Sequence, residues 1–252
     1  MKTIIHSSLT YLLLTAALCA QNANFSIFDK KKTGVPGNSN LPKPVLHLAC
    51  DELKGNTTPT ESSGMTATVE GAALVPGKIG KAFDFAGENS KIAIGPKLKS
   101  LLDDRYTISA WVLPHSARAY GVIFNANVPM GVGLRVWRNN VDFNAGKAFH
   151  LITSEDGTVP NEEWTHIAAT CDGAVAKLYI NGKSVGEKEV QTPLSFADTA
   201  EMGQTTEAFR EDPTDVGVSK PSQFFQGSID DLRVYNVVLT DEQIADLAKV
   251  AK

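Results

Sequence analysis

Glu163-Trp164-Thr165-His166-Ile167-Ala168-Ala169-Thr170-Cys171-Asp172-Gly173-Ala174-Val175-Ala176-Lys177-Leu178-Tyr179-Ile180-Asn181-Gly182-Lys183 is the stretch that decides the fold class. Two strand-like runs, Trp164 to Cys171 and Val175 to Ile180, are joined by Asp172-Gly173. That dipeptide tolerates the positive φ values a tight hairpin turn requires, and Asn181-Gly182 repeats the chemistry at the far end. In the first run Ile167, Ala169 and Cys171 alternate onto one face, the pattern of a strand that turns one side to a core. Hairpin follows hairpin here.

The same grammar extends outward. Tyr106 to Leu113 is apolar on both faces and stops at Pro114, as a strand held between two layers would. Val45 to Cys50, Ala82 to Phe85, Lys91 to Ile94, Val122 to Phe124, Gly133 to Arg138 and Val141 to Phe143 predict further strands, and Gly227 to Tyr235 the last. A helix is predicted only at the end. Thr240 caps it, Gln243 closes a capping box, and Ile244, Leu247, Ala248 and Ala251 form its apolar stripe. With no internal repeat at a fixed period, the pattern predicts one all-β domain, a sandwich of two antiparallel sheets over roughly residues 45 to 248.

The ends and the composition set the context. Lys2, the apolar run Leu9 to Leu18 and the small residue Ala20 before Gln21 predict a cleavable signal peptide over residues 1 to 20. The run is shorter than the roughly 20 apolar residues that span a bilayer, so no membrane anchor is expected in the mature chain. Acylation of Cys19 is the competing reading, against which Leu18 stands where a small residue is expected. Residues 21 to 44, rich in Asn, Lys, Gly and Pro, predict a linker. The net charge of −4 argues against a nucleic-acid partner. Export places Cys50 and Cys171 where a disulfide persists if their strands are neighbours; the other reading is two buried thiols.

Five segments, in order, carry a family resemblance: Leu46 to Glu52, Gly80 to Gly87, Tyr106 to Val112, Glu163 to Lys183, and Gly227 to Asn236 with Leu239 to Ile244 behind it. Together they resemble the laminin-G-like jelly rolls of the concanavalin A-like lectin and glucanase superfamily. The resemblance implies a two-sheet antiparallel jelly-roll sandwich with a short C-terminal helix. Members of the group bind sugars, other proteins or cell-surface polymers, and some are accessory modules of larger enzymes, so the fold alone leaves function open. The chain departs from the pattern at Cys50 and Cys171, where the family often has aromatic residues.

Catalytic motifs are missing. Glycosidases need two carboxylates across the scissile bond, and the Glu-x-Asp-x-Glu strand of jelly-roll glucanases does not occur. Glu187-Lys188-Glu189 is one carboxylate short, and Glu162-Glu163 are consecutive, so a strand would aim them to opposite faces. There is no Gly-x-Ser-x-Gly elbow, and His47, His115, His150 and His166 have no zinc spacing. Ser154-x-Asp156-Gly157 is only faintly similar to a sialidase-type box, for which its Gly and Trp164 are misplaced, and it carries no catalytic reading.

Binding is the better expectation. Alternation puts Asp230 on the inward face with Leu232 and Val234, where a carboxylate needs a cation or hydrogen bonds to compensate it. The resemblance adds Asp51, in the loop after the first strand, and suggests that the two carboxylates, completed by backbone carbonyls, hold a structural Ca2+. The hairpin Gly133 to Ala145 offers a ligand face. With Asn139-Asn140 as the turn, Val136 and Phe143 share one side and Arg135, Trp137, Asp142 and Asn144 the other. An aromatic plane beside charged and amide groups suits a sugar ring; the plainer reading is an outer sheet face with Trp137 packed under Arg135. The loop Ala197 to Ser222 could form its rim. The expected protein is thus a secreted, non-catalytic recognition module for a polysaccharide, a glycan or an extracellular protein. Its rivals are a polysaccharide-active enzyme or its remnant and a structural adhesion component.

Overall fold

Alternating apolar and polar residues organise the chain into strands, and the computed structural model describes residues 40–61, 65–86, 89–116, 121–126, 131–146, 148–190, 194, 196–205 and 224–249. In chain order these hold β1 (Leu46–Leu48), β2 (Thr57–Thr58), β3 (Thr66–Glu70), β4 (Ala73–Pro76), β5 (Lys81–Ala86), β6 (Lys91–Gly95) and α1 (Leu98–Leu101). Then come β7 (Arg105–Ser116), β8 (Gly121–Ala126), β9 (Val132–Trp137), β10 (Asn140–Ala145), β11 (Ala148–Thr153), β12 (Thr165–Asp172) and β13 (Val175–Ile180). The last are β14 (Lys183–Glu189), β15 (Ala200–Gly203), β16 (Gln226–Tyr235) and α2 (Asp241–Leu247). The expected signal peptide, Cys19 and most of the expected linker fall outside the described residues. From Asn40 onward the chain already belongs to the domain, since Leu41 packs against the cluster under α2 and Gln243 Nε2 donates to the Asn40 carbonyl.

Among the described residues every strand pairing is antiparallel, and the strands form two eight-stranded sheets. The first runs β14-β13-β12-β7-β16-β5-β4, with β1 also on β16; the second runs β11-β10-β9-β8-β15-β6-β3-β2. Between them lies one core. The first sheet supplies Ile108, Ala110, Val112, Ile167, Ala169, Leu178, Phe83, Phe85, Ile229, Leu232 and Val234. The second supplies Leu134, Val136, Val141, Phe143, Ile92, Ile94, Phe124 and Met202. The expected jelly-roll-like sandwich is what forms. Aromatic and aliphatic side chains of this size each contribute about 1.5–3 kcal/mol on leaving water, which is what holds the layers together.

β16 organises the first sheet. Gln226 to Ile229 pair with β5, and Leu232 to Val234 pair with β1 on that same side, while β7 lines the other. Between the two halves sits a bulge: Asp230 pairs with Trp111 and Arg233 with Ser109, and Asp231 takes φ 50°. This overturns the inward placement of Asp230. The extra residue breaks the alternation, so Asp230 shares Trp111's side of the sheet, away from Leu232 and Val234. Pro114 does not end β7. It lies within the strand because a second bulge, between Gln226 and Gly227, relaxes the ladder opposite it.

Cys50 and Cys171 are free and buried. The disulfide reading fails on topology: β12, which carries Cys171, is separated from β1 by β7 and β16. Cys171 instead stands opposite Tyr106 and Ala176, and the Cys50 thiol points to the Leu48 carbonyl. α2 forms as expected, with Thr240 accepting from the Gln243 amide and Gln243 reaching back to Thr240. Three of the four sheet edges are guarded, the fourth being β11. β14 is almost wholly exposed and carries Lys183, Glu187, Lys188 and Glu189, β4 closes on Pro76, and β2 is two residues long. Iodoacetamide without reductant should leave Cys50 and Cys171 unlabelled in the native protein and alkylate both in denaturant, as read by mass spectrometry. A pair that stays protected in denaturant would show a bridge.

Candidate functional site

The hairpin β9–β10 turns at Arg138-Asn139, both with positive φ (50° and 64°), one residue earlier than its sequence suggests. Asp142 therefore stands opposite Arg135, and Trp137 opposite Asn140. Each pairing moves by two positions, so the division between faces survives. Val132, Leu134, Val136, Val141, Phe143 and Ala145 enter the core. Gly133, Arg135, Trp137, Asn140, Asp142 and Asn144 share the outer face, joined by Asn125 opposite Gly133 on β8.

That face is not solvated. Arg135 is 1% exposed, Asp142 0%, Asn144 4% and Asn140 6%, and of the four residues expected there only Trp137 keeps appreciable exposure. A Cβ at Gly133 would come within 2.9 Å of Arg135 Nη2, so the guanidinium occupies space a larger residue would fill. Arg135 Nη1 lies 3.8 Å from Asp142 Oδ2. The other carboxylate oxygen, Oδ1, accepts from Thr153 Oγ1 at 3.1 Å and from His150 Nδ1 at 2.9 Å. His150 comes from a bulge in β11, where its φ is 52° and its amide donates to Asn144 Oδ1 at 3.0 Å. Its ring lies 6.2 Å from that of Trp137, and the Arg138 guanidinium sits 4.5 Å above the same indole.

The segment after β11 braces the turn. Asn140 Nδ2 donates to Asp156 Oδ1, the Val141 amide to Ser154 Oγ, and Asn139 Nδ2 to the Val159 carbonyl. Ser154 and Asp156 are thus committed to holding the hairpin. His150, Thr153, Asn125 and Asn140 are the members of the face that sequence reasoning missed. Asn140 alone carried a signal, since it shares the alternation of Asp142 and Asn144. Of the loop expected over 197–222, Ala200–Gly203 is the strand β15, and residues 206–222 fall outside the described residues.

On the first sheet, Asp51 and Asp230 approach one turn. Asp230 Oδ2 accepts from the Ile79 amide at 2.8 Å and Asp51 Oδ1 from the Lys81 amide at 2.7 Å. The turn they embrace, Gly77 to Lys81, fills the gap along β16 between β1 and β5. Gly77 is required there, because a Cβ would stand 2.7 Å from Asp230 Oδ2 and 2.5 Å from the Lys81 carbonyl. Burial, with the charges of Asp231 and Asp51 adding to it, pushes the Asp230 carboxyl up to about 7. Its Oδ1 is buried without a hydrogen-bond partner. Among the described residues no group of three or more His, Cys, Asp or Glu side chains could hold a metal, so any ion here needs carbonyl oxygens as well.

Two further histidines bridge carboxylates. His47 on β1 joins Glu61 (2.9 Å) to Asp231 (2.7 Å), which Arg233 also grips at 3.0 Å; His115 joins Asp84 (2.9 Å) to Glu162 (3.0 Å). His166 is buried against Trp111, and burial pushes its pKa down to about 4, the behaviour of a structural, neutral imidazole.

Two antiparallel sheets packed face to face make a jelly-roll-like sandwich. The chain belongs to the concanavalin A-like lectin/glucanases superfamily, whose laminin-G family model matches residues 86–245. No curated protein matches it in sequence. Among solved structures it is similar to domain 4 of the extracellular GH43 arabinanase AbnA of Geobacillus stearothermophilus, determined with arabinotriose. The identity is 24% and the TM-score 0.58, over 82% of this chain and 98% of that one. It is also similar to the binding domain of Paraclostridial Mosquitocidal Protein 1, at 17% identity and TM-score 0.63, over 81% of this chain and 51% of that one. A third is the botulinum neurotoxin serotype D binding domain, at 18% and 0.60, over 82% and 51%. The chain spans about half the length of those two toxin domains.

Burial opposes the charge on His47, but its bonds to Asp231 and Glu61 outweigh that and raise its pKa above 6.5. The stability this contributes is complete below pH 6.5 and is lost as pH rises through the raised folded value. His47→Gln should therefore cost about 1 kcal/mol at pH 6 and less at pH 8.5, measured by urea unfolding. Equal costs at both pH values would exclude the charged bridge.

Proposed function

We propose that this chain is an exported, non-catalytic carbohydrate-recognition module whose ligand meets the outer face of β9 and β10 beside Trp137. The observation that carries this reading is the desolvated polar face of Arg135, Asp142, Asn144 and Asn140. A buried ion pair contributes little net stability, because desolvation offsets the attraction, and apolar residues of similar size would serve packing as well. Charged and amide groups fixed beside an aromatic ring are instead suited to sugar hydroxyls and an apolar sugar face. The neighbours support the same direction: the arabinanase domain was solved with arabinotriose and a serotype D toxin domain with N-acetylneuraminic acid.

A hydrolytic role is less well supported. On this face Asp142 and Glu201 lie on β10 and β15, with β9 and β8 between them. Three strand spacings alone put their backbones about 14 Å apart, and the register adds two residues along the strand, wider than the roughly 5–10 Å of a glycosidase pair. Export rests on the leader at residues 1–20, and no helix among the described residues is long and apolar enough to cross a membrane.

Asp51 and Asp230 are the proposed ligands of a structural Ca2+. The donor chemistry fits, since Asp230 Oδ1 is a buried acceptor lacking a partner and Asp51 approaches the same turn. The ion would neutralise both carboxylates and fasten the Gly77–Lys81 turn to β16.

On a glycan array the mature protein should bind specific saccharides, and Trp137→Ala should abolish that binding; retention by the variant would move the site elsewhere. Millimolar Ca2+ at pH 7.5 should raise Tm by about 5 °C, an effect that Asp230→Asn removes. Calorimetry showing no shift in the wild type would leave the carboxylates to the backbone amides alone.

A further inference from the structure

Residues Ser154 to Trp164 carry the chain from β11 on the second sheet across to β12 on the first, and both ends of this crossover are fastened. At the hairpin turn the fastening is by amide donors. The Val159 amide donates to the Asn139 carbonyl at 2.9 Å. Asn139 Nδ2 donates to the Val159 carbonyl at 2.8 Å and to Asn161 Oδ1 at 3.1 Å. Asp156 Oδ1 accepts from Asn140 Nδ2 at 2.9 Å. At the first sheet the anchor is the residue after Asn161. The Glu162 amide donates to the Pro114 carbonyl at 2.8 Å, and its carboxylate accepts from His115 Nδ1 at 3.0 Å. His115 Nε2 donates to Asp84 Oδ1 at 2.9 Å, an oxygen to which Ser228 Oγ also donates at 2.9 Å.

We propose that His115 is a pH-sensitive clasp on this crossover: doubly protonated it ties Glu162 to the first sheet, and neutral it keeps Asp84, releases Glu162 and loosens the chain back to the β9–β10 turn. The geometry requires the charge. A neutral imidazole has one N–H, so it can satisfy only one of two flanking carboxylates. Among the described residues the charges against the ring are Asp84 from β5 and Glu162 from the crossover, and β16 adds only the neutral Ser228 hydroxyl. Glu162 is the partner that lets go. It is 66% exposed, whereas Asp84 is 25% exposed and held by Ser228 as well. Glu162 also sits at φ 60°, a left-handed conformation that is costly for a residue with a side chain, so a freed Glu162 relaxes.

Burial opposes the charge on His115, but its bonds to Asp84 and Glu162 outweigh that and raise its pKa above 6.5. The clasp is therefore closed below pH 6.5 and opens as pH rises through the raised value. Its reach is short. Glu162 follows Asn161, which Asn139 holds, and Val159 is bonded to the same asparagine. Asn139 lies in the turn of the hairpin that carries Trp137, so an open clasp leaves that hairpin less firmly braced. The bearing on a ligand rests on the reading of that face as the binding site; the clasp itself does not.

Amide hydrogen exchange of the mature protein, read by NMR at pH 6 and pH 8.5 and corrected for intrinsic rates, tests the clasp without a ligand. The Glu162 and Val159 amides should lose protection about threefold or more at the higher pH, while the paired amides of β12 and β13 hold theirs. In His115→Ala both amides should show the weaker protection at either pH. Glu162→Gln should remove the pH dependence too, because a carboxamide offers the ring a donor or an acceptor as its state demands. Wild-type protection that ignores pH, or a loss that persists in His115→Ala with His47 still titrating, would overturn the clasp. A response at Glu162 that never reaches Val159 would overturn it as well, since the crossover would not be carrying it to the turn.

Discussion

A strand in a two-layer sandwich has one face to give to the core, and period-two alternation lets no side chain change sides without an extra residue. Here that parity assigns everything. Once Leu134, Val136, Val141 and Phe143 enter the core, Arg135, Trp137, Asp142 and Asn144 must gather on the opposite face, whatever their individual preference for water. The places where parity is broken are the other places where polar side chains converge. The bulge at Asp231 turns Asp230 toward the Gly77–Lys81 turn, and the irregularity between Phe143 and Ala145 brings His150 over Asp142. Regular alternation builds the layers, and its interruptions aim the chemistry.

The buried polar face has a structural cost that the surrounding contacts meet only in part. Asp142 has Thr153 and His150 on one oxygen and a guanidinium at 3.8 Å from the other. The Ser154–Val159 segment satisfies the backbone and amides of the hairpin turn, which keeps the face rigid while leaving several acceptors unmet. Rigid donors and acceptors lose little entropy when a ligand arrives, which is how a small polar patch gains affinity. The opposite sheet shows the contrasting economy: Asp231 is held by both His47 and Arg233, which face each other across β1 and β16.

Much of this was legible in the sequence, because turn dipeptides and alternation are local signals. Asp172-Gly173 and Asn181-Gly182 flank strands that form as expected, and the face-sharing of Arg135, Trp137, Asp142 and Asn144 survived an error of one residue in the turn, since the pairing moved by two. What was hidden had no local signal. Asp231 adopts a left-handed conformation without being Gly or Asn, so the bulge that reverses Asp230 is a tertiary effect. β14 is a polar edge strand and β15 only four residues long, so neither shows an apolar period. The burial of Arg135 and Asp142 could not be read from residue type, which argues for solvent. The His150 contact depends on a pairing between β10 and β11 that the sequence did not announce.

The sheet edges have a consequence for how this molecule can meet others. A sandwich invites association by strand addition wherever an edge offers a flat row of unpaired amides and carbonyls. Three of the four edges answer with the alternating charges of β14, the proline that closes β4 and a two-residue β2, and the fourth, β11, is interrupted by a bulge. Two copies of the domain that meet edge to edge at β14, β4 or β2 therefore find little free ladder to extend, and a contact between them has to be made by side chains.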